Sequence, residues 1–220
     1  MMSFQSTNPI ATKPQMDQST LKYYTDNAVQ VAERYESVVS NLSAHFADSF
    51  IKGGKILDIG CGSGRDLAVL NKLGFDCYGV DPTPEFVAIA QRTHPELVGR
   101  IELGELPDLQ TPFNGDFDGV LCSAVLMHID IEQLPATTAA IKSCLKQGGR
   151  LLYSVPSKRL DVVASNRDAN GRLFIPDQAV RLNSLFSSLG FMEIASWTNS
   201  DSMGRDAVEW LSVLLELQTA

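Results

Sequence analysis

Three glycines at alternate positions, Gly60, Gly62 and Gly64, follow directly after a short apolar run in this sequence. The run, Lys55 to Ile59, has the length and composition of a buried strand, and leucines at helical spacing come after the glycines. Such a turn lets a ligand approach backbone N–H groups, while the helix N-terminus adds unpaired donors and a partial positive charge. The stretch therefore predicts a ligand site that suits a carboxylate or a phosphate.

Asp81 ends the next predicted strand. It follows the first glycine by about 20 residues, the offset at which a carboxylate reaches ribose hydroxyls. Dinucleotide sites need the order G-x-G-x-x-G, whereas here the order is G-x-G-x-G and the bulky Arg65 comes next. A nucleoside without a pyrophosphate is indicated. A Rossmann oxidoreductase that binds another nucleotide stays an alternative, which the glycine spacing disfavours.

The runs LDIGCGSG and GVDPTPEFVAIA resemble the class I S-adenosylmethionine (SAM) dependent methyltransferases. The similarity is strongest to the small-molecule, type 11/12-like branch, which includes ubiquinone-pathway O-methyltransferases and tellurite-resistance-type enzymes, and it covers roughly Tyr23 to Phe191. It implies an α/β fold: a Rossmann-like seven-stranded, mostly parallel sheet with helices on both faces and an antiparallel C-terminal edge strand. It also implies an enzyme that transfers a methyl group from SAM to an O or N nucleophile of a small-molecule acceptor, leaving S-adenosylhomocysteine (SAH).

The resemblance also implies which residues hold the cofactor. Glu105 matches the acid that takes the adenine amino group, although the family usually has aspartate there, and the backbone N–H of Leu106 meets the adenine ring. Arg65 is expected to pair with the methionine carboxylate, or else to lie on the solvent side of its helix. The complete expected set is Tyr24, Asp58, Gly60, Cys61, Gly62, Gly64, Arg65, Asp81, Pro82, Glu105, Leu106 and Ser123.

His128 is the candidate catalytic base. It lies in a stretch that resembles the family's FDxV…H element, just beyond the fourth predicted strand, and the ends of strands one and four flank the ligand crevice of such sheets. SAM carries an electrophilic methyl group, so a base is needed only where the acceptor must lose a proton. The ordinary histidine pKa near 6.5 suits that task. Packing or substrate positioning is the alternative role for His128.

In the family that the chain resembles, an N-terminal helix lies across the cofactor cleft, and we expect two segments to cover the cleft here. A helix predicted over residues 21–46 forms an N-terminal lid region, 21–50, whose Tyr23, Tyr24 and Tyr35 either reach the ligands or only pack on the sheet. We expect residues 157–176 to form a substrate-side insertion with a hairpin turn at Asn170-Gly171. Arg205 either binds an acidic acceptor or lies in a surface turn.

The composition of the sequence limits its domain organisation, its partners and its localisation. We expect a flexible polar tail at residues 1–20 and one domain at 21–220, long enough for a sizeable core. The net charge of −8 argues against nucleic-acid binding, and no apolar run approaches the roughly 20 residues of a membrane span. No signal peptide is recognised, so the protein is predicted to be cytoplasmic. We expect it to be a monomer or a homodimer.

Four scattered cysteines and three histidines predict buried free thiols and no metal site. Two alternative functions stay open beside the small-molecule methyltransferase. One is a protein or RNA methyltransferase, and the other is a SAM-binding regulatory protein that does not catalyse.

Overall fold

A seven-stranded sheet in the order β3-β2-β1-β4-β5-β7-β6 forms the centre of the molecule. The computed structural model describes residues 16–162, 165–206 and 208–219, so most of the expected tail lies outside the described residues. The strands are β1 Lys55–Ile59, β2 Asp76–Asp81, β3 Ile101–Leu103, β4 Phe117–Ser123, β5 Leu145–Arg159, β6 Phe191–Ser200 and β7 Val208–Leu217. The helices are α1 Gln18–Asp26, α2 Ala28–Glu36, α3 Phe46–Ser49, α4 Arg65–Lys72, α5 Pro84–Thr93, α6 Leu134–Cys144 and α7 Gln178–Ser188.

The first five strands pair in parallel, as the alternation of strands and helices predicts. The C-terminal strand β7 is antiparallel, also as predicted, but it lies between β5 and β6, so that β6 forms the edge. Because β1, β2 and β4 are parallel neighbours or next neighbours, their carboxyl ends open on one edge of the sheet. That edge is where open α/β sheets bind ligands.

Two apolar cores cover the two faces of the sheet. Successive residues of β1 point to opposite sides, so Ile56 joins one core while Leu57 joins the other. The Leu57 side packs against α6 and α7, and the Ile56 side packs against α3, α4 and α5. The predicted α/β fold with helices on both faces is confirmed.

Strand β5 runs further than the sequence predicts. Because proline usually ends a strand, the sequence predicts an end at Val155, but the strand continues through Pro156 to Arg159 opposite β7. A register shift between Pro156 and Lys158 absorbs the proline, which lacks an N–H donor and is tolerated at such bulges. The extension carries Arg159 beyond the core of the sheet.

The N-terminal helix is two helices rather than one. Asn27 ends α1, with its side-chain amide and its backbone N–H both donating to the carbonyl of Tyr23, at 2.8 and 3.1 Å. α1 already begins at Gln18, capped by Asp17, so Gln18 to Thr20 are helical and not part of a tail. We call α1 and α2 the lid. A third, small apolar core joins the lid to α5 and contains Ala28, Val31, Ala32, Phe86 and Ile89.

The composition-based expectations can be compared with the described part of the chain. All four cysteines are buried and free. Within the described ranges, no helix has both the length and the apolar character needed to cross a membrane. No group of metal-ligating side chains occurs among these residues either.

Candidate functional site

A cavity of about 790 Å³ lies at the carboxyl ends of the parallel strands, beneath the lid. One side, which we call the glycine-turn half, is formed by residues 58–66, 81–83 and 104–106. The other side, the tyrosine half, is formed by lid tyrosines, the segment around His128, the insertion and the turn between β6 and β7. Of the expected site residues, all but Gly64 line this cavity.

The glycine turn has the backbone that its sequence predicts. Gly62 has φ +54°, and the nearest neighbour of a Cβ added there would be the Tyr35 ring at 3.9 Å, across the cavity. Gly64 has φ +83°, but a Cβ there would lie 3.2 Å from Ala90 and His94. Gly62 therefore leaves space for a ligand, whereas Gly64 lets α4 and α5 pack closely.

Asp81 is held rigidly at the end of β2. Its Oδ2 accepts the N–H of Gly62 at 2.8 Å, and its Oδ1 accepts the N–H of Thr83 at 2.9 Å. A carboxylate has about four acceptor positions, so acceptor capacity remains for a ligand beside these bonds and that of the Thr83 side chain. Burial raises the pKa of Asp81 to about 6, against the effect of the two backbone donors. The carboxylate is thus oriented before any ligand arrives.

Asp58 brings a buried carboxylate oxygen that lacks a hydrogen bond to any described residue into the cavity. It is 2 % exposed, and its Oδ1 has no hydrogen-bond partner among the described residues. Burial, followed by the nearby Asp66 and Asp81, raises the pKa of Asp58 well above its ordinary value. A buried carboxylate without a partner is costly, and a cation in the cavity would relieve it. SAM carries an ammonium and a sulfonium group, so this donor set fits the cofactor.

The end of the lid is fastened to the glycine turn. The Ser63 hydroxyl donates to Oε1 of Glu36 at 2.6 Å, and Nε2 of His94 lies 3.2 Å from the same oxygen. Arg65 donates from Nη1 to the carbonyl of Tyr35 at 3.2 Å and from Nε to Asp66 at 2.9 Å. Arg65 lines the cavity, and two of its three guanidinium nitrogens already donate to protein atoms. Sequence reasoning missed Glu36, since no motif spacing links it to Ser63.

His128 lies in a short 3-10 helix after β4 and is 2 % exposed. Its Nδ1 faces the carbonyl of Leu173 and must donate there, since a carbonyl only accepts. In the neutral ring Nε2 is therefore the acceptor, and the Tyr24 hydroxyl donates to it at 3.2 Å. Arg172 donates from Nη1 to the Tyr24 oxygen at 3.3 Å. These four groups form one directed chain, which we call the relay.

The expectation of an ordinary pKa for His128 is wrong. Burial is the largest cause of a shift that lowers the pKa to about 4, because it disfavours the charged ring, and the cations Arg172 and Arg159 act in the same direction. The imidazole is therefore neutral at neutral pH. Its free lone pair points at Tyr24 rather than directly into the cavity.

Charged residues of the tyrosine half come from three separate segments. Arg172 makes two hydrogen bonds to Oδ2 of Asp168, at 2.9 and 2.6 Å, within the turn predicted at Asn170-Gly171. Arg205 binds both oxygens of Asp201 at 2.8 and 2.7 Å. The insertion also reaches the lid, since Thr20 accepts the N–H of Leu173 at 2.9 Å. Sequence reasoning missed Arg159, Asp168 and Arg172, because only the fold brings their segments together.

A mostly parallel Rossmann-like sheet with the antiparallel β7 inserted between β5 and β6, a glycine turn after β1 and an acid at the end of β2 defines the class I methyltransferase fold. The chain belongs to the family described as methyltransferase domain, whose model matches residues 30–216, which confirms the predicted family of SAM-dependent methyltransferases.

Relatives and solved structures agree with this assignment. Over 109 residues the chain is 32 % identical to a ubiquinone biosynthesis O-methyltransferase of Xanthomonas oryzae pv. oryzae, a match that covers 47 % of this chain and only 44 % of that relative. A 1,6-didemethyltoxoflavin-N1-methyltransferase of Burkholderia thailandensis, solved with bound 1,6-didemethyltoxoflavin and S-adenosylhomocysteine, superposes with a TM-score of 0.62 at 22 % identity, covering 90 % and 84 % of the two chains. The (4+2)-cyclase SpnF superposes with a TM-score of 0.70 at 16 % identity, covering 94 % and 97 %. The two structures are evidence for the fold alone.

Proposed function

We propose that this protein is an enzyme that transfers a methyl group from SAM to an O or N nucleophile of a small-molecule acceptor and releases SAH. The observation that carries the proposal is the partnerless Oδ1 of Asp58, buried in the cavity beside the Gly62 turn and Asp81. The site has the features of a nucleoside site, and its buried carboxylate oxygen lacks a cationic partner among the described residues. A nucleoside that carries a sulfonium group therefore suits it better than a nucleotide does.

Each residue of the glycine-turn half has a role in this proposal. Asp81 accepts the ribose hydroxyls with its remaining acceptor capacity. Asp58 binds the ammonium group, and Glu105 with the backbone of Leu106 binds the adenine. When bound, SAM supplies a methyl group activated by the positive sulfur. Gly60, Cys61, Gly62, Arg65, Pro82 and Ser123 complete the wall around it.

The cover over the cavity favours a small acceptor. The lid is fastened to the glycine turn through Glu36, and the insertion meets the lid at Thr20. A cavity covered on two sides in this way limits the access of water and admits a molecule of metabolite size. The names of the curated relatives and of the Burkholderia neighbour point to small acceptors as well. The net charge of −8 disfavours RNA as the acceptor.

The relay gives the acceptor's proton a destination. Tyr24 lines the cavity and donates its own proton toward His128. As an acceptor O–H bond breaks, the Tyr24 oxygen gains that proton, and the former Tyr24 proton forms the Nε2–H bond of His128. Arg172 stabilises negative charge on the Tyr24 oxygen, and the Leu173 carbonyl keeps Nδ1 protonated throughout. In this proposal His128 is the base and acts through Tyr24.

A second candidate has one observation in its favour. A cyclase shares this fold with a TM-score of 0.70, so the fold also occurs in a protein named for a different reaction. The alternative function is a SAM-binding protein that performs no methyl transfer. The residues of the relay disfavour it, since a binding protein has no need of a directed proton path.

Labelled SAM separates the candidates. The protein is incubated with SAM carrying a radioactive methyl group and a cell extract divided into metabolite, protein and RNA fractions. The proposal expects label in the metabolite fraction and SAH release at the same rate. Label only in the protein or RNA fraction would reject the small acceptor. SAH binding by calorimetry without any transfer would favour the binding protein.

A further inference from the structure

Three arginine–aspartate pairs line the tyrosine half of the cavity, and cofactor binding has no use for them. They are Arg159 with Asp161 at the end of β5, Arg172 with Asp168 in the insertion, and Arg205 with Asp201 in the turn between β6 and β7. Arg172 with Asp168 is a buried pair, whereas the side chains of Asp161 and Arg205 are 43 % and 41 % exposed, and neither kind of ion pair contributes much net stability. Three such pairs around one cavity therefore indicate a ligand that binds to their charged groups.

All three guanidinium groups are held by the same edge. In Arg159 the Nε and Nη2 atoms donate to the two oxygens of Asp161, each at 2.7 Å. Arg205 uses the same two atoms on Asp201, at 2.8 and 2.7 Å. Each Nη2 carries a second hydrogen, which together with Nη1 forms another fork on the end of the group. The aspartates thus orient each guanidinium, and Arg159 and Arg205 keep an end fork for a ligand, although Nη2 of Arg159 also lies 3.9 Å from Oδ2 of Asp168.

Among the three arginines, Arg159 has the most buried side chain, and its Nη1 can bind a ligand. Its side chain is 7 % exposed, and among the described residues its Nη1 has no hydrogen-bond partner. The guanidinium carbon lies 3.7 Å from the centre of the Phe174 ring, so the group rests on that ring and its edges face the cavity. The Nη1 of Arg172, in contrast, is already occupied by Tyr24.

Phe174 connects this fork with the relay. The His128 ring packs against Phe174 at 4.7 Å between centroids, and the guanidinium of Arg172 lies 5.3 Å from the same ring. Arg159 and His128 therefore contact the same Phe174 ring, which places a ligand held by Arg159 on the side of the cavity that contains the relay. Further aromatic side chains, Tyr23 and Trp210, line the same half and suit a planar ring.

The charged side chains around the tyrosine half indicate which net charge a ligand there should carry. Three aspartates offset the three arginines, and the protein as a whole carries −8, so a dianion would gain little from the field. A single carboxylate matches the planar two-hydrogen fork of a guanidinium in both shape and charge.

We propose that the methyl acceptor is a small aromatic carboxylate, whose carboxylate binds the end fork of Arg159, with Arg205 as the second cation beside it. This inference rests on the proposed function and names the substrate class of the same site. Arg159 is then a specificity-determining residue: it selects an anionic acceptor and sets its reacting oxygen or nitrogen near Tyr24.

The test compares benzoate with benzamide, which have the same ring and differ in charge. Binding of each to the SAH-saturated protein is measured by calorimetry near pH 7.5. Benzoate is expected to bind at least about tenfold more tightly than benzamide, since a charge-assisted bidentate pair replaces a neutral contact. Arg159→Lys keeps the charge and loses the planar fork, so it should reduce this preference without abolishing it, while SAH affinity stays unchanged.

Arg150→Lys is the matched control. Arg150 lies on the same strand and is paired to Glu216 outside the cavity, so its variant should keep the wild-type preference. Equal binding of benzoate and benzamide, no benzoate binding, stronger binding of phenyl phosphate than of benzoate, or an unchanged preference in Arg159→Lys would each overturn the inference. Failure of SAH to bind would instead reject the proposed function, so the two failures are distinguishable.

Discussion

The hydroxyl of Tyr24 lies 3.2 Å from Nε2 of His128, although 104 positions separate the two residues in the chain. Tyr24 belongs to the lid, whereas His128 follows β4 at the edge of the sheet. The hydrogen bond therefore exists only while the lid is down. In the proposed reaction the proton path is complete only when the cavity is also closed to water.

The variant Tyr24→Phe tests the relay. It removes the hydroxyl and keeps the ring, so kcat should fall by about 100-fold, at the low end for a general acid–base group, while SAH affinity is unchanged. At saturating SAM, wild-type kcat should stay level as the pH falls through 6.5 and decline only as it approaches about 4, where His128 becomes charged. Steady-state kinetics on any acceptor found by the label experiment gives both values.

Tyr23→Phe is the control for that variant. The Tyr23 ring lies 5.4 Å from the Tyr24 ring and also contacts Arg172, but its hydroxyl is not part of the relay. Its kcat should stay close to that of the wild type. Equal losses in the two variants, or a wild-type profile with an inflection near 6.5, would show that the relay is misassigned.

Asp58→Asn should affect stability and binding in opposite directions. The pKa of Asp58 is raised in the folded state, so its ionisation destabilises the fold as the pH rises above the ordinary value near 4. The variant removes that penalty, and its melting temperature should exceed that of the wild type at neutral pH and not at pH 4. SAM affinity should fall by roughly 1.5–3 kcal/mol, the range for a lost charged hydrogen bond. A variant that is less stable at both pH values would argue against a partnerless carboxylate.

Cofactor affinity should depend on the ionisation of Asp81. The pKa of Asp81 is about 6 in the structure, and ribose hydroxyls prefer the ionised form, so affinity should be full above pH 6 and fall as the pH drops below it. Asp81→Asn should weaken SAH binding at pH 7.5 by roughly 1.5–3 kcal/mol and lose this part of the pH dependence. Calorimetry from pH 5 to 8 measures both. A 2′-deoxy analogue that binds as well as SAH would contradict the role given to Asp81.

Two glycine variants separate strain from ligand contact. Gly62 and Gly74 both have positive φ, at +54° and +88°, so alanine at either should cost roughly 1–2 kcal/mol of stability. A Cβ at Gly74 meets nothing within 4 Å, whereas a Cβ at Gly62 enters the cavity. Gly62→Ala should lose SAH binding and Gly74→Ala should keep it. Chemical denaturation and calorimetry are sufficient, and equal SAH affinities would place the cofactor elsewhere.

The glycine-turn half could be predicted from sequence because its residues are local. Gly60, Gly62 and Asp81 lie at the ends of two neighbouring strands, and motif spacing alone fixes their approach. The fold followed in the same way from the alternation of strands and helices. The order of the last two strands did not, since antiparallel strands joined by a turn can meet the sheet with either one outermost.

The tyrosine half could not be predicted, because each of its contacts joins distant segments. Arg159 depends on a strand that continues past Pro156 through a bulge, and its partner ring belongs to the insertion. The pKa of His128 depends on burial, which a sequence motif does not encode. The break at Asn27 is also absent from the sequence prediction. An asparagine side chain can end a helix by donating to a carbonyl of the preceding turn, and apolar periodicity does not show whether the helix ends or continues there.

The small core that joins the lid to α5 is separate from the two cores of the sheet. A segment held by so few apolar side chains can detach and reattach without loosening the rest of the molecule. The residence time of a bound nucleoside then depends on Val31, Ala32 and Phe86, together with the polar contacts of the lid, while resistance to heat depends mainly on the two cores of the sheet. Selection could therefore tune how quickly spent product leaves, by changing the size of one side chain in that core, with no loss in the lifetime of the folded protein.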